Sequence, residues 1–213
     1  MAPIIRLLVL LLLCWAASAA DEAELKPISL PSPQLKGGKP LMEALHQRRT
    51  TREMKPDKLT PQQLSNLLWA GFGINRPQEG RRTAPSAMNA QEVDLYVAFP
   101  EGLFVYEPVA NELKPVLAKD LREKTGQTFS KDASLVLIYV ADLSRLDKAK
   151  PDVRTYYAGF DGGCISQNIY LYCASEGLAT CVYDLDRSAV AEAMGLKPDQ
   201  YVVMAQAVGK TKD

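Results

Sequence analysis

Two short stretches of this chain hold residues whose types and spacing suit them to chemistry. The first, "QRRTTREM" at 47–54, sets Arg48, Arg49 and Arg52 around the pair Thr50-Thr51. A guanidinium grips a phosphate through two parallel N–H donors, and a threonine adds a hydroxyl. The same residues also suit the solvated end of a helix, where cations are favourable beside the last carbonyls. On its own the segment reads either way. The second stretch, "APSAMNAQ" at 84–91, places a proline, a serine, an asparagine and a glutamine in a loop. Such a loop presents backbone and amide groups to a planar heterocycle, or serves as a plain connector.

Other apparent motifs fail on their context. "GKT" at 209–211 resembles the end of a P-loop, but Met204 stands where the first glycine belongs and the helix that must follow is missing. "GFDGG" at 159–163 lies inside a helical pattern, without the strand-then-glycine order of a dinucleotide fingerprint. His46 is the only histidine, which argues against Ser-His-Asp and Cys-His hydrolases and against a His-rich metal site.

The elements that must position the two stretches follow from periodicity. The chain has 213 residues, 47% of them hydrophobic, enough for one sizeable core. Its 25 Lys+Arg balance 25 Asp+Glu, which argues against a dedicated nucleic-acid surface. "MAPIIRLLVLLLLCWAASAA" (1–20) has an early cation at Arg6, an apolar run and then small residues. This is the pattern of a secretory signal peptide, so the mature protein is expected to be exported, to the periplasm, with no stable membrane insertion. Residues 21–40 are polar with Pro and Gly and read as a linker or arm, and the domain is expected over 41–213. "LMEALHQRR" is a short helix with apolar residues at 41, 42 and 45. "LTPQQLSNLLWAGFG" is a helix opened by Thr60 as N-cap, Pro61 at its first position and Gln63 completing a capping box. Its apolar face is Leu64, Leu67 and Leu68, and Gly71 and Gly73 end it.

"VDLYVAFP" and "GLFVYEP" form a hairpin, "NELKPVLAKDLREKTG" is helical in parts and broken at Pro115, and "SLVLIYVAD" is a buried central strand. Residues 152–177 read as one long helix stopped by Gly177. Its Gly159, Gly162 and Gly163 suggest close packing on another helix. A strand, a helix opened by Asp186 and a last strand complete the chain. The mixture points to an α+β fold, helices around a mostly antiparallel sheet.

After the leader Cys164, Cys173 and Cys181 remain. An odd number excludes a complete disulfide framework, and the spacings do not suit zinc or any other metal. A Cys173–Cys181 bridge is conceivable; three buried thiols acting as small hydrophobes is the plainer reading.

Taken together and in order, "RRTTRE", "LTPQQLSNLLWAGFG", "RRTAPSAMNAQEVDLYVA" and "QNIYLYCASEGLATC" resemble the nitroreductase-like flavoprotein family, over about Leu41 to Gly209. The resemblance implies an α+β homodimer with a long interface helix and non-covalent FMN at the subunit interface. It implies that Arg48 and Thr50 hold the phosphate and ribityl chain and that Arg52 approaches the pyrimidine edge, with Arg49 at a variable position. Pro85, Ser86, Ala87, Met88 and Asn89 would come from the other subunit. Val182, Tyr183 and Asp184 would lie along the isoalloxazine and offer it a backbone N–H. Lys210 would stand in for a basic ligand that many relatives carry on a longer C-terminal extension.

The activity implied is ping-pong electron or hydride transfer through flavin to a small organic acceptor, with no evident protein acid or base. Tyr156, Tyr157 and Tyr183 are at hand but read as core. The alternatives are a non-catalytic flavin-binding module and a specialised dehydrogenase or dehalogenase relative.

Overall fold

The computed structural model describes residues 25–212. The expected leader at 1–20 and the first residues of the arm lie outside them. Among the described residues no helix is long and apolar enough to cross a membrane.

Antiparallel pairing builds one large sheet. Its centre is β8 (Leu135–Asp142), buried on both faces along almost its whole length. Leu135, Leu137, Tyr139 and Ala141 belong to one core cluster, and Val136, Ile138 and Val140 to another. That is the period-two alternation of a strand with cover on both sides. β5 (Val93–Phe99) pairs with one edge of β8 and forms a hairpin with β6 (Gly102–Glu107). β10 (Gln200–Thr211) pairs with β8, with β9 (Leu178–Tyr183) and, at its last residues, with β2 (Met54–Lys55).

The first face is covered by α2 (Pro61–Phe72) and α3 (Arg154–Glu176), the second by α4 (Arg187–Met194) and the turns near Leu121. α2 begins where the capping box places it: Thr60 accepts from the Gln63 N–H at 3.2 Å, and Gln63 accepts from the Thr60 N–H at 3.0 Å. Gly71 does not end this helix but lies inside it. A Cβ there would sit 2.7 Å from Ile169, so the close helix–helix approach within the chain uses Gly71 of α2. On α3 only Gly162 is in contact, against Val203 and Met204 of β10; a Cβ at Gly159 or Gly163 would meet nothing within 4 Å.

Three expectations are corrected. Residues 112–117 are not helical but form β7 (Glu112–Leu117), paired with β6. Asn111 takes the left-handed conformation at φ 50° and turns the chain, and Pro115 falls near the sheet edge, where a missing N–H is tolerated. α1 (Leu41–Gln47) forms as expected, but Leu41, Met42 and Leu45 are exposed, and Ala44 is the buried residue. Tyr156 is 69% exposed rather than core.

The arm is docked rather than loose. β1 (Ile28–Ser29) adds to the edge of β7, Pro31 O accepts from Ser65 and Asn111 side chains, and the Lys39 N–H donates to Ser175 Oγ at 2.8 Å. All three cysteines are free thiols, Cys173 and Cys181 buried and Cys164 half-buried, so the conceivable Cys173–Cys181 bridge does not form.

Candidate functional site: a cationic cleft beside the β9 edge

α1 ends at Arg48, whose N–H still bonds to Ala44 O at 2.9 Å while its backbone turns extended. The chain then runs beside β9, with the Thr51 N–H donating to Thr180 O at 2.9 Å. The junction is organised by Tyr170 of α3. Its hydroxyl accepts from the Val182 N–H at 3.0 Å, which leaves its hydrogen for Thr50 Oγ1 at 2.9 Å. The Arg48 guanidinium lies over the Tyr170 ring, 5.4 Å from its centre, in cation–π geometry.

These contacts wall a cleft of about 470 Å3. Lys39, Arg48 and Arg49 line it together with His46, Thr51, Thr180 and Thr211, and among the described residues no carboxylate does. Cations and hydroxyls without a competing acid make a site for an anion. Arg49, which the resemblance leaves at a variable position, shares the cleft with Arg48. Lys39 and His46 were missed, since Lys39 sits in the arm and reaches the cleft only because the arm docks at Ser175. Arg52 is exposed outside the cleft and lies toward Cys181, whose thiol burial pushes up while the nearby Arg52 charge pulls it down. Lys210 pairs with Leu178 and Lys55 in the sheet, next to the cleft residue Thr211.

A shallower hollow continues along the β9 edge, lined by Val182, Tyr183, Asp184, Thr155 and Gly159. The Val182 N–H is already engaged by Tyr170. Tyr183 turns its ring away, edge-on to Phe129 at 5.2 Å, with its hydroxyl 2.7 Å from Thr125 Oγ1. Burial raises that phenol to about 12, so it is a poor proton donor. Asp184 is exposed and paired with Arg187 at 2.8 Å.

Residues 85–91 form a tight loop held from several sides. Met88, Asn89 and Gln91 all have positive φ, at 54°, 56° and 50°. Left-handed residues other than glycine cost roughly 1–3 kcal/mol each and persist only where surroundings enforce them. Gln91 is the brace: its N–H donates to Ser86 Oγ at 2.9 Å, its amide donates to Gly80 O at 2.9 Å, and its Oε1 accepts from Arg82 at 2.8 Å. The Ala87 N–H donates to Asp161 Oδ2 of α3 at 2.7 Å. Pro85 lines a hollow with Gly159, Phe160 and Gly163 on the outer face of α3.

Within one chain the predicted residues therefore fall into two sets. Arg48, Thr50 and the Val182–Asp184 segment adjoin through Tyr170, and Pro85–Asn89 adjoin through Asp161. Both anchors are on α3, nine residues apart, which is ~13 Å along a helix. The Tyr170 hydroxyl has a measurable structural role. Tyr170→Phe leaves the Val182 N–H without its partner, and an unsatisfied buried donor costs about 1–3 kcal/mol. Urea denaturation should show that loss, and an unchanged midpoint would mean that water takes the hydroxyl's place.

With this geometry in view the relationships are clear. The sequence profile of the nitroreductase family matches residues 45–210. The chain belongs to the nitroreductase family, and it is an oxidoreductase of that family with its α+β fold. A protein of Methanocaldococcus jannaschii assigned as a nitroreductase is 28% identical over 185 residues, 80% of this chain and 90% of that one. A crystal structure from Ralstonia eutropha, of a protein with the same assignment, is 40% identical and superposes with a TM-score of 0.85, covering 89% of this chain and 91% of that one. A structure from Desulfovibrio desulfuricans, in complex with FMN, has a TM-score of 0.59 at 18% identity over 83% of this chain and 89% of that one, a likeness of fold alone.

Proposed function

We propose that the protein is an FMN-dependent oxidoreductase, active as a homodimer, that passes electrons from a donor to a small organic acceptor. The observation that carries this reading is the cleft with three cations and hydroxyls and, among the described residues, no carboxylate, opening beside the β9 edge. These residues fit a flavin phosphate. Arg48, Arg49, Lys39 and Thr50 would hold that end, and Val182–Asp184 would lie along the ring. Bound FMN would supply the redox chemistry itself, and the protein would bind, orient and shield it. The FMN complex of the Desulfovibrio fold relative supports the choice of flavin.

The separation of the two residue sets supports a dimer. A two-fold axis beside α3 would bring the 85–89 loop of one subunit to the cleft of the other, with the same patch used on both sides. That patch has what such a contact needs: open space over Gly159 and Gly163, and the exposed Tyr156 and Phe160. Leu41, Met42 and Leu45 of α1 are exposed as well.

The leader at 1–20 supports export, and an exported enzyme would use a reductant other than cytoplasmic NAD(P)H. Purified protein should be yellow, or become so on adding FMN, with flavin stoichiometric with chains by absorbance. Colourless protein that takes up no FMN overturns the reading.

A further inference from the structure

Glu92, just before β5, is fully buried, and neither of its carboxyl oxygens meets an N–H or O–H donor. The side chain it faces, within hydrogen-bonding reach, is the carboxyl of Asp161, itself only 2% exposed. Two buried carboxylates cannot both be ionised in contact; the arrangement that satisfies both oxygens puts one proton between them.

The other charges nearby do not relieve the pair. Arg145, from the turn after β8, is the closest cation, but it is held by Asp94 at 2.6 and 3.0 Å, by Asp142 at 3.6 Å and by Gln91 O at 3.0 Å. Arg82 is turned to Gln91 and lies over the Phe72 ring. From α3 the remaining titratable neighbour is Cys164, whose thiol is raised by burial and then by Asp161.

We propose that Glu92 holds a proton against Asp161, and that this pair is a positioning device which fixes Ala87 and with it the strained 85–89 loop. The assignment of that loop to a flavin rests on the function proposed above; the proton-sharing pair does not. Asp161 is the link, since Oδ2 accepts from the Ala87 N–H at 2.7 Å while its carboxyl also faces Glu92. Glu92 is the donor of the pair because the Ala87 N–H already donates to Asp161 and favours its ionised form.

Burial first, and then the charge of Asp161, raise the Glu92 carboxyl to about 7 against the opposing pull of its own backbone N–H. The folded value lies above the ordinary one, so the singly protonated pair's contribution is complete in acid, below the ordinary carboxylate value. It is lost as pH rises through about 7. Beyond that point Glu92 ionises beside Asp161, repulsion loosens Asp161 from Ala87, and the loop relaxes.

The test compares wild type with Glu92→Gln, whose amide can donate to Asp161 at every pH. Infrared spectra of the protein in D2O should show a protonated carboxyl at pH 6 that disappears above about pH 7 and is absent from the variant. FMN affinity of the wild type should fall at least about threefold relative to the variant between pH 6 and 8.5, the ligand's own titration cancelling in the ratio. Asp161→Asn offers Glu92 an amide donor, so it should move the infrared transition to lower pH; it decides the matter if Glu92→Gln does not fold. A wild type with no protonated carboxyl at pH 6, or a transition unmoved by Asp161→Asn, overturns the pair. A parallel pH dependence of FMN affinity in wild type and Glu92→Gln overturns its positioning role. If neither protein binds FMN, the flavin reading fails, and the infrared transition still decides the pair.

Discussion

Alanine at both Arg48 and Arg52 is expected to weaken FMN binding more than tenfold while leaving the fold intact. Hydrogen bonds to charged groups contribute about 1.5–3 kcal/mol each, and ~1.4 kcal/mol is a factor of ten, so losing even one such contact reaches that size. The fold should tolerate the change. Arg52 is exposed, and the main contact of half-buried Arg48 is the Tyr170 face, worth ~1 kcal/mol. The structure also divides the effect. Arg48 lines the cleft beside Lys39 and Arg49, so it should account for most of the lost affinity. Arg52, outside the cleft, should act more on the bound flavin's reduction potential. Fluorescence titration with FMN gives the affinity and circular dichroism checks the fold. Unchanged affinity in a folded double variant would return both arginines to solvent.

Leucine at both Gly159 and Gly163 should separate the dimer and abolish flavin retention together. Within one chain a Cβ at either position meets nothing, so the subunit itself has room for the larger side chains. Replacing an exposed helical glycine should even stabilise an isolated subunit, by roughly 0.8–1 kcal/mol for each change to a strong helix former. Loss of assembly is expected only if a second α3 packs there; loss of flavin is expected both from losing the partner's loop and from filling the hollow that Gly159 shares with Val182–Asp184. Light scattering after gel filtration, with absorbance for flavin, reads both. A doubly substituted protein that remains dimeric and yellow would place these glycines in solvent and move the interface elsewhere.

The parts of the fold legible in the sequence were those with local causes. The capping box at Thr60 fixed the start of α2, the apolar run of β8 declared a strand buried on both sides, and Gly177 stopped α3 in a left-handed turn at φ 69°. β7 was not legible because an edge strand depends on partners distant in sequence, and Glu, Lys and Leu around Pro115 look equally like interrupted helix. The burial of α1 was inverted for a related reason. Its apolar residues follow a helical face, but small Ala44 is what fits against the body, leaving the larger side chains outside.

At the site, the order of "RRTTRE", "APSAMNAQ" and "GLATC" carried the family resemblance, and in the fold their residues lie in two separate patches. The side chains that set them in place, Tyr170 in one and Asp161 with Glu92 in the other, carry no periodic or motif signal. Only the packing of α3 against β9 and the loop brings them together.

β10 lies later in the chain than every strand it joins. β8, with the hairpin behind it, and β2 and β9, with the cleft, all depend on residues 200–211 for their pairing. As the protein emerges from a ribosome, both halves precede the strand that unites them. The apolar edge of β8 therefore stays uncovered until residues 200–211 emerge, and pairing between segments so far apart is slow and exposed to aggregation. Such a nascent chain has reason to be held by a chaperone until its last strand appears, and the cleft is among the final features it acquires.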